Sequence, residues 1–163
     1  MFESLNPDKV KTEEKLGLVL KARGATLSAA ESCTGGYISH LITKVSGSSA
    51  YYLGSVTSYA ISVKESVLGV PAQTVEEKGV VSAEVAAAMA EGVRALTGST
   101  YAVSTTGLTE GGDEKYPEGT VWIGITGPLG TRTFLFQCDF GRAGNIKAFA
   151  SKALELLLDY LEA

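Results

Sequence analysis

The chain has 163 residues, 45% of them hydrophobic and 20% charged, which is the length of one ordinary domain and the balance of a soluble globular protein. Its net charge of −4 argues against a nucleic-acid partner, since proteins that bind DNA or RNA usually present a basic face. No apolar run reaches the roughly 20 residues of a membrane-spanning helix, and the polar first residues do not resemble a signal peptide. We therefore predict one cytoplasmic domain over residues 1–163, with no membrane partner and, because it has two cysteines, no disulfide framework.

Helices and strands alternate along most of the chain. Apolar residues at helical spacing and capping residues indicate helices, while β-branched and aromatic runs bounded by turns indicate strands. The predicted helices run from Asn6-Pro7 to about Arg23, from about Thr34 to Val45, after Ser62, at Thr74, from Ser82 to about Leu96, and over about 145–162. The predicted strands are 25–32, 51–60, 101–106 and the hairpin 120–126 with 131–139.

This order of elements predicts an α/β fold. Strands that alternate with helices favour a mostly parallel sheet covered by helices on both faces, and the late hairpin adds an antiparallel pair. We therefore expect a mixed sheet of five strands. The longest irregular stretch, residues 107–118 with the sequence GLTEGGDEKYPE, is a candidate functional loop because long loops beside a rigid sheet often carry function.

Several familiar binding and catalytic motifs are absent from the sequence. The chain has no GxxxxGK[ST] phosphate loop, no GxGxxG fingerprint, no GxSxG elbow and no SxxK pair. Cys33, His40 and Cys138 are too few and too scattered to form a metal site, so we predict neither a metal nor a cofactor. His40 falls within an early helix, which leaves a Ser-His-Asp triad with little support.

The segment AESCTGG, residues 30–36, joins a predicted strand to a predicted helix. Ser32 or Thr34 can cap that helix, and Gly35 and Gly36 let a ligand approach the backbone. Free N–H groups at a helix start favour an anion such as a phosphate. The alternative is a capped turn between strand and helix with no ligand.

A second segment, GSSAYYLGSVTSYAISVK, combines serines, tyrosines and a lysine in residues 47–64. We place Lys64 in the first turn of the helix capped by Ser62, where the helix dipole and burial would both lower its pKa. A neutral lysine can replace histidine as the base that activates a serine, and Tyr59 could relay the proton or orient the lysine. The alternative is a polar turn followed by a strand and a solvated lysine.

Two further positions are candidate contacts for a substrate. Thr106 ends the strand with the sequence YAVSTT, and ligands of α/β sheets bind beside the carboxyl ends of the strands. Arg142 precedes the last predicted helix and could pair with a phosphate or carboxylate. The alternatives are a threonine that caps a turn and an ordinary surface arginine.

Together these segments resemble the CinA C-terminal domain family, also called nicotinamide-nucleotide amidohydrolase or PncC. The resemblance covers nearly the whole chain and rests on KARGATLSAAESCTGG, SGSSAYYLGSVTSYAISVKESVLGV, VSAEVAAAMAEGVR and PEGTVWIGIT. It implies a three-layer α/β/α sandwich, a tendency to form a homo-oligomer, with a dimer favoured, and no metal. It also implies hydrolysis of the carboxamide of nicotinamide mononucleotide to nicotinate mononucleotide and ammonia, which feeds pyridine nucleotide recycling.

The same resemblance implies roles for individual residues. The nucleophile falls on Ser49 and its tyrosine and lysine partners on Tyr59 and Lys64, while further site residues fall on Ser32, Thr106 and Arg142. Two segments depart from the family pattern, since Gly107 is followed by LTEGG where the family usually reads IAGP, and Arg142 lacks the preceding aspartate. A serine amidohydrolase of another small amide and a non-enzymatic, nucleotide-binding competence or damage protein remain the alternative functions.

Overall fold

A computed structural model describes residues 10–163, in which six helices and five strands are present. The helices are α1 (Thr12–Arg23), α2 (Tyr37–Thr43), α3 (Ile61–Ser66), α4 (Ala72–Lys78), α5 (Ala83–Thr97) and α6 (Gly141–Glu162). The strands are β1 (Leu27–Glu31), β2 (Tyr52–Thr57), β3 (Tyr101–Leu108), β4 (Thr120–Gly127) and β5 (Gly130–Gln137). The helix start predicted at Asn6-Pro7 lies outside the described residues.

The five strands form one mixed sheet in the order β2-β1-β3-β4-β5. The β1 strand pairs in parallel with β2 and β3, and the β3–β4 and β4–β5 pairs are antiparallel. Four strands therefore point the same way and β4 alone runs against them. This arrangement confirms the predicted α/β fold with its closing hairpin.

Helices cover both faces of the sheet because the central strands bury both sets of their alternating side chains. Ala29 and Val103 face a cluster built by α1, α2 and α6, while their neighbours Ala30 and Ala102 face a cluster built by α5 and the chain between α3 and α4. One cluster lies on each face of the sheet, so the fold has three layers, with helices on both sides of the sheet. No helix among residues 10–163 is both long enough and apolar enough to cross a membrane.

Local capping signals located some helix ends and missed others. The Ser82 Oγ accepts a hydrogen bond from the Val85 N–H at 3.2 Å and so caps α5, as predicted. By contrast, α3 begins at Ile61 behind Ala60, which leaves the predicted cap Ser62 inside the helix. Likewise, α4 begins directly after Pro71, ahead of the predicted helix start at Thr74. Tertiary packing, rather than the capping sequence, fixes these two short helices.

Candidate active site

Parallel pairing brings the residues that follow β1 and β2 together at one edge of the sheet. Glu31 lies opposite Thr57 in the register, so the next residues, Ser32 and Ser58, become neighbours. The Ser58 N–H donates to the Glu31 carbonyl at 2.7 Å and extends the pairing by one bond beyond the strands. Both serines are buried. This edge is where ligands of α/β sheets usually bind.

Lys64 reaches this edge from α3 and is buried, with 1% of its surface exposed. Its Nζ atom donates hydrogen bonds to the Ser32 Oγ at 2.8 Å, the Ser58 carbonyl at 2.5 Å and the Tyr59 carbonyl at 3.1 Å. All three acceptors are neutral. Burial without a bonded carboxylate lowers the pKa of Lys64 below its usual value.

One of the two expected causes of this shift, burial, lowers the pKa of Lys64. The Lys64 main chain lies in the last turn of the six-residue helix α3 rather than its first, although its Nζ atom reaches back to the carbonyls of Ser58 and Tyr59, which precede the helix. The predicted position in the first turn depended on Ser62 as the cap.

The three partners of Lys64 fix the orientation of its neutral form. A neutral amine keeps two N–H donors and gains one lone pair. The carbonyls of Ser58 and Tyr59 only accept, so they hold the two N–H groups. The lone pair is then left for the Ser32 hydroxyl, which can donate. The site therefore presents Ser32 to a base that is already aimed at its proton.

Ser49, the predicted nucleophile, lies at the opposite end of β2, where the strand begins. It belongs to the 3-10 turn Ser48–Ala50, which precedes β2, whereas Lys64 bonds to residues that follow β2. Six residues of extended strand at about 3.3 Å each place roughly 20 Å between the two ends of β2. The structure thus corrects the predicted pairing of Ser49 with Lys64, because β2 runs between them.

The predicted anion site at the start of α2 is already filled by a side chain of the protein. The fully buried Glu31 carboxylate accepts hydrogen bonds from the Ile38 and Ser39 N–H groups at 2.8 and 3.1 Å and from the Thr34 hydroxyl at 2.7 Å. Thr34 therefore supports Glu31 and does not cap α2 itself. A buried carboxylate at these N–H groups replaces a ligand phosphate and repels one.

The turn between β1 and α2 nevertheless leaves room for a substrate. Gly35 and Gly36 have φ values of 59° and 100°, which favour glycine, and a Cβ atom added to either residue would meet open space. The turn begins with Ser32, whose carbonyl accepts the Gly35 N–H at 3.1 Å. Both glycines therefore leave open space beside the turn, and the approach of a ligand there stays a prediction.

Thr106 is used inside the fold. Its hydroxyl donates to the Val80 carbonyl at 2.8 Å and ties β3 to the chain before α5. The neighbouring Thr105 contributes to the site instead, through a 2.8 Å hydrogen bond between its hydroxyl and that of Thr34. Thr105 is a site residue that the sequence analysis missed, because the face of β3 that each threonine occupies is not evident from the sequence.

Cys33 lies next to Ser32 but is a poor nucleophile. Burial raises the pKa of its thiol to about 12, so it stays protonated at neutral pH. Sequence reasoning also missed Glu31 and the Ser58 carbonyl. A lone acidic residue in the otherwise apolar and small run of β1 was the available signal for Glu31, whereas a main-chain carbonyl leaves no mark in the sequence.

Tyr59 and Arg142 are exposed and neighbour each other. The Tyr59 carbonyl contacts Lys64, but 66% of the residue's surface is exposed. The neighbouring Tyr59 hydroxyl and then Glu110 raise the pKa of the Arg142 guanidinium above its usual value. Arg142 and Glu110 form an ion pair of 3.3 Å, so residues from three segments meet here.

Comparison with known sequences identifies the family. The sequence profile of the CinA C-terminal domain matches residues 9–161. The chain belongs to the CinA C-terminal domain family. A CinA-like protein of Salinibacter ruber is 49% identical over 148 residues, and one of Geotalea daltonii is 52% identical over 121 residues. These alignments cover 90% and 73% of this chain but only 36% and 29% of the relatives, so the chain spans about a third of their length.

Solved structures of the CinA family share the fold. The competence damage-inducible protein A of Klebsiella pneumoniae superposes with a TM-score of 0.89 at 29% identity, over 94% of this chain and 98% of its own. The competence/damage inducible protein CihA of Agrobacterium tumefaciens gives a TM-score of 0.86 at 30% identity, over 93% and 94%. Both matches cover nearly the full length of each protein.

Proposed function

We propose that this CinA-family domain hydrolyses the carboxamide of nicotinamide mononucleotide to nicotinate mononucleotide and ammonia, with Ser32 as nucleophile and Lys64 as base. The observation that supports this proposal is the 2.8 Å contact between the Lys64 Nζ and the Ser32 Oγ, in a buried setting that lowers the lysine pKa. A serine bonded to a neutral lysine is a known form of activated nucleophile. Family membership supports the choice of substrate.

The first half of the reaction forms an acyl-enzyme. Neutral Lys64 accepts the Ser32 proton while the Oγ attacks the amide carbon, and the carbonyl electron pair moves onto oxygen. Backbone N–H groups of the turn after β1, other than the Gly35 N–H that bonds the Ser32 carbonyl, stabilise this oxyanion. When the intermediate collapses, the C–N bond breaks, and the Lys64 ammonium gives its proton to the leaving nitrogen, which departs as ammonia.

The second half regenerates the enzyme. Lys64, now neutral again, takes a proton from a water molecule that attacks the ester carbon. Collapse of the second intermediate breaks the bond to the Ser32 Oγ, and Lys64 returns the proton to that oxygen. The carboxylic acid product releases its remaining proton to solvent and leaves as the carboxylate. Both proton transfers to and from Ser32 thus pass through the single Nζ atom, and the main-chain carbonyls of Ser58 and Tyr59 keep that atom in place throughout.

An ammonia-release assay with nicotinamide mononucleotide tests this proposal. We expect turnover by the unaltered protein, a loss of about 10³-fold or more in Ser32→Ala, and turnover close to that of the unaltered protein in Ser49→Ala. The opposite pattern, with Ser49→Ala inactive and Ser32→Ala active, would assign the nucleophile to Ser49. Binding of the nucleotide without ammonia release from any variant would instead support the alternative of a nucleotide-binding protein without enzymatic activity.

A second candidate, hydrolysis of another small amide by the same serine, is favoured by one observation. Glu110 places a carboxylate 3.3 Å from the Arg142 guanidinium, where a substrate phosphate would otherwise pair. A panel containing nicotinamide mononucleotide, nicotinamide riboside and simple aliphatic amides separates the two candidates. Faster ammonia release from an amide without the pyridine ring would support the second candidate.

A further inference from the structure

Glu110 and Arg142 form an exposed ion pair beside Tyr59. The Glu110 Oε2 lies 3.3 Å from the Arg142 Nη1, and the two side chains are 64% and 50% exposed. Glu110 belongs to the loop after β3, and Arg142 lies in the first turn of α6. The pair therefore connects the longest loop to the helix that provides the arginine.

The loop backbone is fixed on both sides of Glu110. The carbonyl of the preceding Thr109 accepts a 3.0 Å hydrogen bond from the buried Asn145 side chain of α6. The N–H of the following Gly111 donates to the Glu118 carboxylate at 3.0 Å. Glu110 is therefore held beside Arg142 by its neighbours as well as by its own charge.

Tyr59 connects this ion pair to the catalytic centre. Its carbonyl accepts a hydrogen bond from the Lys64 Nζ, and its hydroxyl, at the other end of the same residue, is next to Arg142 and raises the pKa of that guanidinium. Arg142 thus lies about one tyrosine side chain away from Lys64. On the proposed function, a substrate with its amide at Lys64 and a phosphate about this far from the amide would bring that phosphate to Arg142.

We propose that Glu110 is a specificity residue that occupies Arg142 and lowers the affinity of the site for substrates carrying a dianionic phosphate. This inference rests on the proposed function. The Glu110 carboxylate takes the position in which a phosphate would pair with the guanidinium, and its charge repels the phosphate dianion. A substrate that is uncharged at this end, such as a nucleoside, would not pair with the guanidinium and is not repelled by the carboxylate, so Glu110 does not weaken its binding. Glu110 therefore shifts the preference from nucleotide toward nucleoside.

The test replaces Glu110 with glutamine and compares two substrates that differ only in the phosphate. For Glu110→Gln at low ionic strength, we expect KM for nicotinamide mononucleotide to fall about threefold to tenfold while kcat is unchanged, because an exposed pair is worth little more than this. KM for nicotinamide riboside should stay the same. Raising the salt concentration to about 0.5 M should remove most of the difference, since the charges are exposed.

Glu114→Gln is the matched control, because it removes the same charge from the same loop at an exposed residue that has no ion pair to Arg142. Equal KM values for Glu110→Gln and the unaltered protein would overturn the proposal. An equal fall in KM for nicotinamide riboside, or an equal fall caused by Glu114→Gln, would also overturn it. Calorimetric titration with both ligands gives the same comparison as Kd if no ammonia is released. Failure of the proposed reaction is thereby separated from failure of the specificity proposal.

Discussion

The Lys64 Nζ lies 2.8 Å from the Ser32 Oγ, although the two residues are 32 positions apart in the sequence. The contact joins the end of β1 to α3 and depends on the parallel register of β1 and β2, which also places the Ser58 carbonyl beside the amine. The arrangement therefore exists only when the sheet is formed. A short segment of the sequence therefore cannot form this contact by itself.

Loss of the Lys64 amine should abolish catalysis without unfolding the protein. We expect Lys64→Met to slow turnover by about 10²- to 10⁴-fold, the usual contribution of a positioned acid–base group. Lys64→Arg should be equally inactive because a guanidinium does not deprotonate near neutral pH. Circular dichroism checks that both variants fold. An active Lys64→Arg variant would exclude a proton-accepting role for this position.

The pH profile of the unaltered protein should show the titration of Lys64. Only neutral Lys64 can accept the serine proton, so kcat/KM should rise with pH through the lysine pKa of the free protein and then level off. Burial lowers that pKa from 10.5, so the rise should occur at a lower pH than for an ordinary lysine. A stopped-flow or coupled ammonia assay across the pH range measures it, and a flat profile would contradict the assignment.

Tyr59 should affect substrate binding more than the chemical step. Its hydroxyl is next to Arg142 and the residue is exposed, whereas only its carbonyl contacts Lys64. We expect Tyr59→Phe to raise KM severalfold while turnover changes by no more than about twofold. The opposite result, with turnover slowed by about the hundredfold that a proton relay contributes and KM little changed, would support the relay considered from the sequence.

The Glu31 carboxylate should stabilise the fold through the start of α2. Glu31→Gln keeps one acceptor oxygen and loses the second, which accepts the Ser39 N–H at 3.1 Å. We expect the free energy of unfolding to fall by about 1–3 kcal/mol, as for other buried polar groups left without a partner. Urea denaturation measures this loss, and the exposed Glu114→Gln serves as the control. Unchanged stability in Glu31→Gln would show that its charge does not hold α2.

Two adjacent tyrosines should respond in opposite ways to removal of the hydroxyl. Among the described residues, the Tyr51 hydroxyl is the one buried side-chain polar atom without a hydrogen-bond partner, whereas the Tyr52 hydroxyl donates to the Ser39 Oγ at 3.0 Å. Tyr51→Phe should raise the free energy of unfolding by about 1 kcal/mol, and Tyr52→Phe should lower it by a similar amount. Thermal and urea denaturation compare the two. A destabilised Tyr51→Phe variant would reveal a partner for that hydroxyl.

Periodicity and turn residues were sufficient to predict the α/β fold, the mixed sheet and its closing hairpin. These features depend on signals that lie within one element, such as the Ser82 cap and the left-handed Gly98 that ends α5. The lowered pKa of Lys64, with burial as a cause, was also predicted correctly, whereas the start of α3 was misplaced by the expected cap at Ser62.

The candidate site was harder to predict because its geometry is not local. The serine beside Lys64 depends on which residues follow the ends of β1 and β2, and the register that decides this is a property of the pair. The sequence alone predicts Ser32 as a cap or a substrate contact, and the family resemblance places the nucleophile at Ser49. The filled start of α2 was missed because it required knowing that the Glu31 side chain turns toward α2.

The Asn145 side chain anchors the loop after β3 through hydrogen bonds that do not involve Ser32 or Lys64. Its side chain bonds the Thr109 carbonyl, the Phe140 N–H and the Cys138 thiol, none of which belongs to β1, β2 or α3. The loop is thus held by hydrogen bonds other than those that hold the Lys64 amine. Loops of other sequence could be exchanged between Thr109 and Gly119 to give new preferences while the Lys64 centre is inherited intact.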